Sequence, residues 1–299
     1  MKNLITIEQL NRKEIMEILE LAKRIENNPQ NFKKELEDKS LATLFFQPST
    51  RTRSSSSLAM QKLGGKVIDI YETKHETGMS EAESFEDTIK VIGDYVDLIC
   101  LRHISEEAPY TAEKNTQAKL INCGNGEDQH PTQTLLDLYT ILKGFERLDN
   151  LKISIIGGLK NSRSAHSLLI ALSFFENNRV KLISPKSLEM PKKYIQQTKN
   201  RLKIIEKENF DIMDEDVIYM AGLPAKDSDK NMREKYQITL EKIKSIKNNT
   251  LILNPLPRID EISKEVDKLQ NAKYFQQSKN GLFVRMAIFL KLLKDQSPS

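Results

Sequence analysis

Apolar and polar positions follow two patterns along the chain, one typical of helices and one typical of buried strands. Residues 7–26 place apolar side chains three and four positions apart, which predicts an amphipathic helix. Short continuous apolar runs follow, as in strands that are covered on both faces. These runs predict strands at residues 41–46, 66–70, 96–101 and 118–123. Helical patterns occur between and after them, at residues 50–63, 84–93 and from Pro131 to about Arg147.

The same alternation restarts after Asp149-Asn150, where residues 151–156 predict a buried strand. Further strands are predicted in this half at residues 180–183, 203–205, 216–220 and 250–253. An apolar helix at residues 281–294 closes the pattern. Strands that alternate with helices form parallel sheets covered by helices. We therefore predict an α/β protein with two doubly wound parallel-sheet domains joined by interdomain helices.

Length and composition favour two domains. A chain of 299 residues is long for one core. We place the first domain at residues 1–147, with the C-terminal helix 281–299 packing back on it, and the second at 148–280. Basic and acidic residues number 46 and 42, so the net charge is only +4, which argues against a nucleic-acid-binding face.

Cysteine, histidine and apolar patterns exclude further classes. The 2 cysteines and 4 histidines are scattered without a zinc-ligand spacing. The sequence has no apolar run of membrane-spanning length and no recognisable targeting segment. We expect a soluble, reduced, cytoplasmic protein with neither nucleic acid nor a membrane as partner.

The first candidate site lies where the strand at 41–46 leads into the helix at 50–63. Pro48 suits a turn, and the first N–H groups of a helix have no partner inside it. Such a helix start favours an anion. Side chains that can donate to the anion are Ser49, Thr50, Arg51 and Thr52. A flexible Ser/Arg-rich linker is the alternative, but apolar segments on both sides argue against it. The stretch therefore predicts a phosphate site.

Other candidate residues stand near strand ends and helix starts. Arg102 follows the predicted strand at 96–101, and the carboxyl ends of parallel strands are where open sheets bind ligands. His130 and Gln133 open the helix that begins at Pro131 and can orient a planar carbonyl and amino group. A helix-capping role for His130 is the alternative.

The second half has a weaker signal for a ligand. Gly157 and Gly158 follow a strand but lack dinucleotide-binding spacing, and the sequence has no Walker-type loop, so we expect no nucleotide cofactor. Arg163, just inside the next helix, is either a partner for a substrate carboxylate or a surface salt-bridge residue.

Several motifs occur in the order found in the transcarbamylases, which this chain resembles over nearly its whole length. They are Ser49-Thr50-Arg51-Thr52-Arg53, Leu101-Arg102-His103, His130-Pro131-Thr132-Gln133, the segment around Arg163, Asn254-Pro255-Leu256-Pro257-Arg258, Tyr274-Phe275-Gln276-Gln277 and Asn280-Gly281. The chain is similar to catalytic chains of the aspartate carbamoyltransferase family. The ornithine branch is a poorer match, because its His-Cys-Leu-Pro signature is absent.

The resemblance implies that the carbamoyl group of carbamoyl phosphate is transferred to the amino group of L-aspartate, as in pyrimidine biosynthesis. It implies a phosphate site made of Ser49, Thr50, Arg51, Thr52 and Arg102. Donors to the carbonyl oxygen would be Thr52, Arg102 and His130. The carbamoyl NH₂ would be taken by Gln133 and the backbone carbonyls of Leu256 and Pro257.

The remaining implications concern the acceptor, the proton and the assembly. Arg163 would bind the carboxylate of the acceptor amino acid. Because the leaving phosphate can accept the amine's proton, no general base, metal or organic cofactor is implied. The family assembles as a homotrimer with shared active sites, and whether a regulatory chain joins it is not fixed by the sequence.

The departures from the family pattern fall on the acceptor and closure side. Glu81 stands where the family has a lysine on a loop from the neighbouring subunit, and Gln47 replaces an acidic residue. Gly222 and Pro224 replace an arginine and a glutamine. The nearby cations that can compensate are Lys74, Lys226 and Arg233.

From these departures we infer that carbamoyl phosphate binding is retained while aspartate use is weakened or changed. Three hypotheses follow: an aspartate carbamoyltransferase, a carbamoyltransferase for another amine or amino acid, and a non-catalytic relative.

Overall fold

The computed structural model describes residues 1–71 and 83–294 of the chain. They form two compact units, one made of Met1–Leu135 and the chain from Gly281 onward, the other of Leu136–Asn280. Each unit contains one sheet, and every strand pairing in both sheets is parallel. The predicted fold class of two parallel-sheet α/β domains is therefore confirmed.

The first unit is built on a 4-stranded sheet with the order β2-β1-β3-β4. Its strands are β1 (Ser40–Phe45), β2 (Lys66–Tyr71), β3 (Leu98–His103) and β4 (Lys119–Asn125). Its complete helices are α1 (Arg12–Asn27), α2 (Thr50–Lys62), α3 (Phe85–Tyr95) and α4 (Ala108–Asn115). The register places Phe45 beside Arg102 and His103 beside Asn125. The carboxyl ends of β1, β3 and β4 therefore lie side by side.

The second unit is built on a 5-stranded sheet with the order β7-β6-β5-β8-β9. The strands are β5 (Lys152–Gly157), β6 (Arg179–Ile183), β7 (Lys203–Lys207), β8 (Val217–Gly222) and β9 (Leu251–Leu253). The helices are α6 (Arg163–Leu172), α7 (Lys192–Thr198) and α8 (Lys230–Tyr236). The unit boundaries fall inside two further helices, α5 (Pro131–Phe145) and α9 (Tyr274–Leu293).

Helix α1 illustrates how local sequence sets an element. Asn11 caps it by accepting a hydrogen bond from Glu14 N at 3.0 Å, and the Glu14 carboxylate accepts one from Asn11 N at 2.9 Å. This reciprocal cap starts the helix later than residue 7, where only a short 3₁₀ turn forms. The apolar stripe is buried, as predicted, through Ile15, Ile18, Leu19, Ala22 and Ile25.

Within the described residues, all nine predicted strands are present, with ends shifted by no more than two positions. The helices were harder to predict. Helix α4 was not predicted, and it is short, with only Ala108, Pro109 and Ala112 buried. Helix α9 begins at Tyr274, whereas the apolar pattern predicted a start at residue 281. The pattern missed the first turns because they bury polar side chains such as Gln277. In the same described residues, no helix is long and apolar enough to cross a membrane.

Asp97 ties the start of β1 to the turn before β3. Its carboxylate accepts hydrogen bonds from Lys39 Nζ at 2.9 Å, Ser40 N at 2.8 Å and Ser40 Oγ at 2.9 Å. Burial opposes ionisation, but these donors outweigh it, so the pKa of Asp97 lies below its ordinary value. Because the pKa of Asp97 is lower in the folded chain than in the unfolded chain, the ionised carboxylate stabilises the fold at pH values above the unfolded-state pKa. This stability is lost as the pH falls through the folded-state pKa.

Replacement of Asp97 by Asn is expected to lower the free energy of unfolding by about 1–2 kcal/mol at neutral pH, because charged hydrogen bonds are lost. The penalty should shrink as pH falls below about 3.9, where the carboxylate of the unfolded wild-type chain takes up its proton, and it should be lost as pH falls through the lower folded-state pKa. Urea unfolding of both proteins across this pH range measures the difference. A penalty that does not change with pH would contradict the assignment.

Candidate active site

Helix α2 begins directly after the carboxyl end of β1. Ser49 occupies its N-cap position, yet the Ser49 hydroxyl makes no capping hydrogen bond to the helix. The positive end of the helix dipole and the first N–H groups therefore remain suited to an anion. Thr52 is buried in the first turn, whereas Ser49 is half-buried and Thr50 is exposed.

Two guanidiniums stand close to each other near this helix start. Burial lowers the pKa of Arg102, and the positive charge of Arg51 lowers it further. Burial also lowers the pKa of Arg51. Both side chains stay cationic at neutral pH, since an arginine does not lose its proton in proteins. Arg51 is exposed and Arg102 is half-buried, so both cations add to the attraction that the helix start has for an anion.

Arg102 belongs to the end of β3 rather than following it as predicted. Its Nη1 donates to the carbonyl oxygen of Cys123 on β4 at 3.2 Å. The neighbouring strand therefore aims the guanidinium. No sequence pattern pointed to Cys123, because the contact is made by its backbone carbonyl.

An aromatic cluster anchors the loop between β1 and α2. The ring of Phe46 contacts Phe85 and His103, with centroids 5.7 and 5.2 Å away. His103 Nδ1 also accepts a hydrogen bond from Ser105 N at 2.9 Å. Further along α2, Arg53 pairs with Asp69 of β2 at 3.5 Å. These contacts fix the helix start relative to the sheet edge.

His130 lies on the turn from β4 into α5. Its backbone carbonyl accepts from Gln133 N at 3.0 Å and Thr134 N at 3.1 Å, so the residue does cap the helix. The Thr132 hydroxyl lies 3.3 Å from Nδ1 of the ring. When that hydroxyl donates to Nδ1, the ring proton resides on Nε2, which then acts as a donor. The capping alternative is therefore confirmed for the backbone of His130, and a role of its ring in binding stays a prediction.

Buried amides that were not predicted as site residues hold this turn. Asn122 Nδ2 donates to Asn125 Oδ1 at 2.8 Å, which also accepts from Gln129 N at 3.3 Å. Asn125 Nδ2 donates to the Glu106 carbonyl at 2.7 Å. The available signal was a set of polar residues around Gly124 and Gly126, directly after an apolar strand.

In the first unit, the sheet brings the predicted segments to one edge. Ser49 to Thr52 follow β1, Arg102 ends β3, and His130 and Gln133 follow β4. These strands are neighbours in the sheet, in the order β1-β3-β4. Thr52, His130 and Gln133 are buried, as donors to an enclosed ligand would be.

The second unit has a cavity of about 270 Å³ beside the start of α6. Its lining includes residues from four segments: Gly158, Asn161 to Ser164, Ala221 to Pro224, and Pro257, Ile259 and Glu261. Among these described residues, Arg163 is the one cation and Glu261 the one carboxylate. The cavity can therefore offer a carboxylate-binding group and a hydrogen-bond acceptor to the same ligand.

Glycines let β5 and β8 meet at this cavity. Gly157 has φ +124, and a Cβ there would lie 2.3 Å from the Gly222 carbonyl oxygen. Gly158 N donates to the same oxygen at 2.8 Å. The loop that follows is held by His166, whose Nε2 lies 2.7 Å from the Leu159 carbonyl oxygen. This arrangement places Arg163 at the cavity wall.

The Asn254 to Glu261 loop forms the opposite wall. Leu256 has φ +54, and the Leu256–Pro257 peptide is cis. Asn254 Oδ1 accepts from Leu256 N at 2.6 Å. The Glu261 carboxylate, 5% exposed, accepts from Asn254 Nδ2 at 3.2 Å and from Ile259 N at 2.8 Å. Two buried side chains thus hold a loop whose backbone carbonyls were predicted to bind substrate.

Some predicted residues are elsewhere or not described. Glu81 and Lys74 lie outside the described residues. Arg233 pairs with Asp260 at 3.2 Å, and neither Arg233 nor the exposed Lys226 is among the described residues that line the cavity. In the part of the chain that the structure describes, no group of three or more His, Cys, Asp or Glu side chains is placed to hold a metal ion.

Together, a helix start suited to an anion, with Arg102 at the same sheet edge, and a cavity lined by Arg163 on the second sheet define an α/β protein with one basic candidate site in each unit. Two family models match the chain. The aspartate/ornithine carbamoyltransferase carbamoyl-P binding domain matches residues 2–143, and the Asp/Orn binding domain of that family matches residues 149–292. The chain belongs to the aspartate/ornithine carbamoyltransferase family, which confirms the resemblance seen in the sequence.

Individual relatives agree over almost the full length. The aspartate carbamoyltransferase catalytic subunit of Methanocaldococcus jannaschii is 44% identical, with 99% of each chain covered. The catalytic subunit of Clostridium novyi is 40% identical, with 98% of each covered. The solved M. jannaschii catalytic subunit has a TM-score of 0.92 at 43% identity and full coverage of both chains. Trypanosoma cruzi aspartate transcarbamoylase in complex with N-(phosphonacetyl)-L-aspartic acid has a TM-score of 0.93 at 30% identity, covering 98% and 96%.

Replacement of Arg51 by Gln is expected to weaken the binding of inorganic phosphate by about 10- to 100-fold, because one charge-assisted contact is worth about 1.5–3 kcal/mol. Titration calorimetry measures the affinity. The matched control is Arg53→Gln in the same helix, which removes a cation already paired with Asp69 and should leave phosphate affinity within about twofold. Equal losses in both variants would contradict a specific phosphate contact at Arg51.

Proposed function

We propose that this chain transfers the carbamoyl group of carbamoyl phosphate to the amino group of L-aspartate, a step of pyrimidine biosynthesis that yields N-carbamoyl-L-aspartate and phosphate. Curated relatives at 40–44% identity are named aspartate carbamoyltransferase catalytic subunits, which supports the reaction. Structures of the T. cruzi relative are described as complexes with carbamoyl phosphate, and with aspartate and phosphate. The observation that carries the proposal is that the segment from Ser49 to Thr52, Arg102 and His130 all lie at the carboxyl ends of the adjacent strands β1, β3 and β4.

The phosphate of the substrate is bound at this helix start. Ser49, Thr50, Arg51, Thr52 and Arg102 donate to its oxygens, together with backbone N–H groups of the first turn. Two guanidiniums and the positive end of the helix dipole make a dianion the favoured occupant. The donor set thereby recognises the leaving group of the reaction, and it stabilises the charge that this group carries away.

The carbonyl oxygen of the substrate becomes more negative when an amine attacks the carbonyl carbon. Thr52, Arg102 and His130 donate to that oxygen and stabilise the charge in the transition state. Gln133 and the backbone carbonyls of Leu256 and Pro257 hold the carbamoyl NH₂. A bond forms between the amine nitrogen and the carbonyl carbon, the bond from that carbon to the phosphate oxygen breaks, and the departing phosphate accepts the amine's proton.

The acceptor is bound through Arg163, which lines the cavity of the second unit and is the carboxylate partner there. In this assignment residues 1–147 form the carbamoyl phosphate domain, with the C-terminal helix 281–299, and residues 148–280 form the acceptor domain. No metal or organic cofactor takes part.

We further propose a cytoplasmic homotrimer whose active sites are shared between subunits. The relatives are named catalytic subunits, which supports assembly with further chains. Light scattering tests the trimer: the expected mass is three times the 34.4 kDa of one chain, and a monomeric mass at assay concentration would contradict it.

The reaction is tested by incubating the chain with carbamoyl phosphate and L-aspartate and measuring both N-carbamoyl-L-aspartate and phosphate. His130→Ala should lower kcat by about 10²- to 10³-fold, as for loss of a donor to a developing oxyanion, while inorganic phosphate still binds. The control His103→Ala removes a ring that contacts Phe46 and accepts a hydrogen bond from Ser105 N. It should lower the melting temperature, while the kcat of the folded protein falls much less than in His130→Ala. Absence of ureido product with aspartate would refute the acceptor assignment.

A second candidate, transfer to an amino acid without a distal carboxylate, is favoured by the contacts around Gly222. A Cβ at Gly222 would lie 3.4 Å from Glu261 Oε1, so this glycine leaves the Glu261 carboxylate facing the cavity. Glu261 is buried and makes its contacts with Asn254 Nδ2 and Ile259 N. Within the described residues, no ion pair joins it to a cation.

The charges then favour a particular acceptor class. Arg163 suits one carboxylate, but a second carboxylate near Glu261 would meet a like charge. An acceptor that ends in a hydrogen-bond donor, such as an amide or ammonium group, would instead add a second donor to Glu261 Oε1, which already accepts from Asn254 Nδ2 at 3.2 Å. Under this candidate the same carbamoyl chemistry proceeds with a different amino acid.

A competition assay decides between the candidates. If the second one holds, kcat/KM for asparagine should exceed that for aspartate by at least about tenfold, and Glu261→Gln should reduce this preference by about tenfold or more by removing the like charge. The matched control is Glu265→Gln, an exposed carboxylate on the adjacent segment. Preference for aspartate that Glu261→Gln leaves unchanged would refute the second candidate and support the first.

A further inference from the structure

Hydrogen bonds between buried amide and carboxylate side chains connect helix α5 with the loop from Asn254 to Glu261. Gln277 Nε2, on α9, donates to Asp137 Oδ1, on α5, at 2.6 Å. Gln277 Oε1 accepts from Asn254 N at 2.9 Å. Asn254 Oδ1 accepts from Leu256 N at 2.6 Å. All of these side chains belong to the second unit, and Asp137, Gln277 and Asn254 are at most 2% exposed.

The loop has few backbone donors, and buried side chains take most of them. Pro255 and Pro257 have no N–H group. The N–H groups of Asn254, Leu256 and Ile259 are bound by Gln277, Asn254 and Glu261, respectively. Asn254 Nδ2 also donates to the Met220 carbonyl at 3.0 Å, which ties the loop to β8. The donors of the loop are therefore turned inward.

The carbonyl oxygens of the same loop are left for a ligand. Within the described residues, neither the Leu256 nor the Pro257 carbonyl oxygen accepts a hydrogen bond. Leu256 holds φ +54, a conformation that is unfavourable for a residue with a branched side chain and persists only when the surroundings impose it. The hydrogen bond from Leu256 N to Asn254 Oδ1 imposes it here, and Gln277 in turn fixes Asn254.

We infer that Gln277 and Asn254 are positioning residues that set the direction of the Leu256 and Pro257 carbonyls, and with it the recognition of a substrate NH₂ group. The inference rests on the proposed function, in which these carbonyls hold the carbamoyl NH₂. Neither side chain touches the substrate in this account. Asp137 supplies the fixed, buried acceptor from which the arrangement is built.

The test compares two buried amides on α9. Gln277→Leu removes the contact to the loop. The control Asn280→Leu removes an equally buried amide whose partners are Thr140 Oγ1 at 2.9 Å, Gln276 Nε2 at 3.0 Å and Lys143 Nζ at 3.4 Å, none of them in the loop. Both variants should unfold at lower temperature than the wild type. Gln277→Ala, which leaves space for water, serves as a second variant if Gln277→Leu does not fold.

Two readouts separate positioning from stability. The first is the dissociation constant of inorganic phosphate divided by that of phosphonoacetamide, a stable analogue that carries the carbamoyl NH₂. This ratio measures how much the NH₂-bearing part of the ligand adds to the affinity. Gln277→Leu should reduce this ratio by about tenfold, while the affinity for inorganic phosphate stays within about twofold, and Asn280→Leu should leave the ratio unchanged. The second is kcat, which should fall by about 100-fold in Gln277→Leu and by much less in Asn280→Leu.

The outcomes also distinguish this inference from the proposed function. If the wild type transfers no carbamoyl group to any amino acid tested, the proposed function fails, and the dissociation-constant ratio still decides whether Gln277 positions an NH₂-binding loop. If the wild type is active and the two variants change the ratio and kcat equally, Gln277 is merely structural and the inference is overturned.

Discussion

The placement of basic and polar side chains at one edge of the first sheet is the constraint from which the rest of the proposed site follows. Parallel pairing of β1 with β3 forces the residues at their carboxyl ends to the same edge, so two guanidiniums that are distant in sequence come within electrostatic range. Burial adds to the cost of both charges. A helix start that has two basic side chains nearby favours an anion as its occupant.

In the second unit, parallel strands again bring functional side chains to their carboxyl ends, but the side chains there are of a different kind. Gly157 and Gly222 allow the ends of β5 and β8 to touch, and the space that results is lined by Arg163 and Glu261. Here one cation faces one carboxylate, so the cavity favours a ligand of mixed character. In the proposed reaction the first unit supplies the anion site, whereas Gly222 and Glu261 are proposed to influence which acceptor the second unit takes.

The strands, and with them the sheet edge that carries the proposed anion site, could be predicted because their signals are local. Apolar runs predicted β1 and β3. The position of Arg102 at the end of such a run could be recognised without knowing which strands pair in the sheet. The supporting residues could not be predicted in this way. Asn254 and Gln277 are polar side chains buried only because other segments satisfy them, and Cys123 acts through its carbonyl oxygen. Helix α4 has too short an apolar face to register as a pattern.

The central claim is that the first unit binds the phosphoryl group of carbamoyl phosphate at the start of α2. A crystal structure of the chain with phosphonoacetamide tests it most directly. The account predicts the phosphonate at the first N–H groups of α2, in contact with both Arg51 and Arg102, and the amide oxygen within hydrogen-bond distance of His130. A phosphonate bound elsewhere, or bound by only one of the two guanidiniums, would contradict the claim.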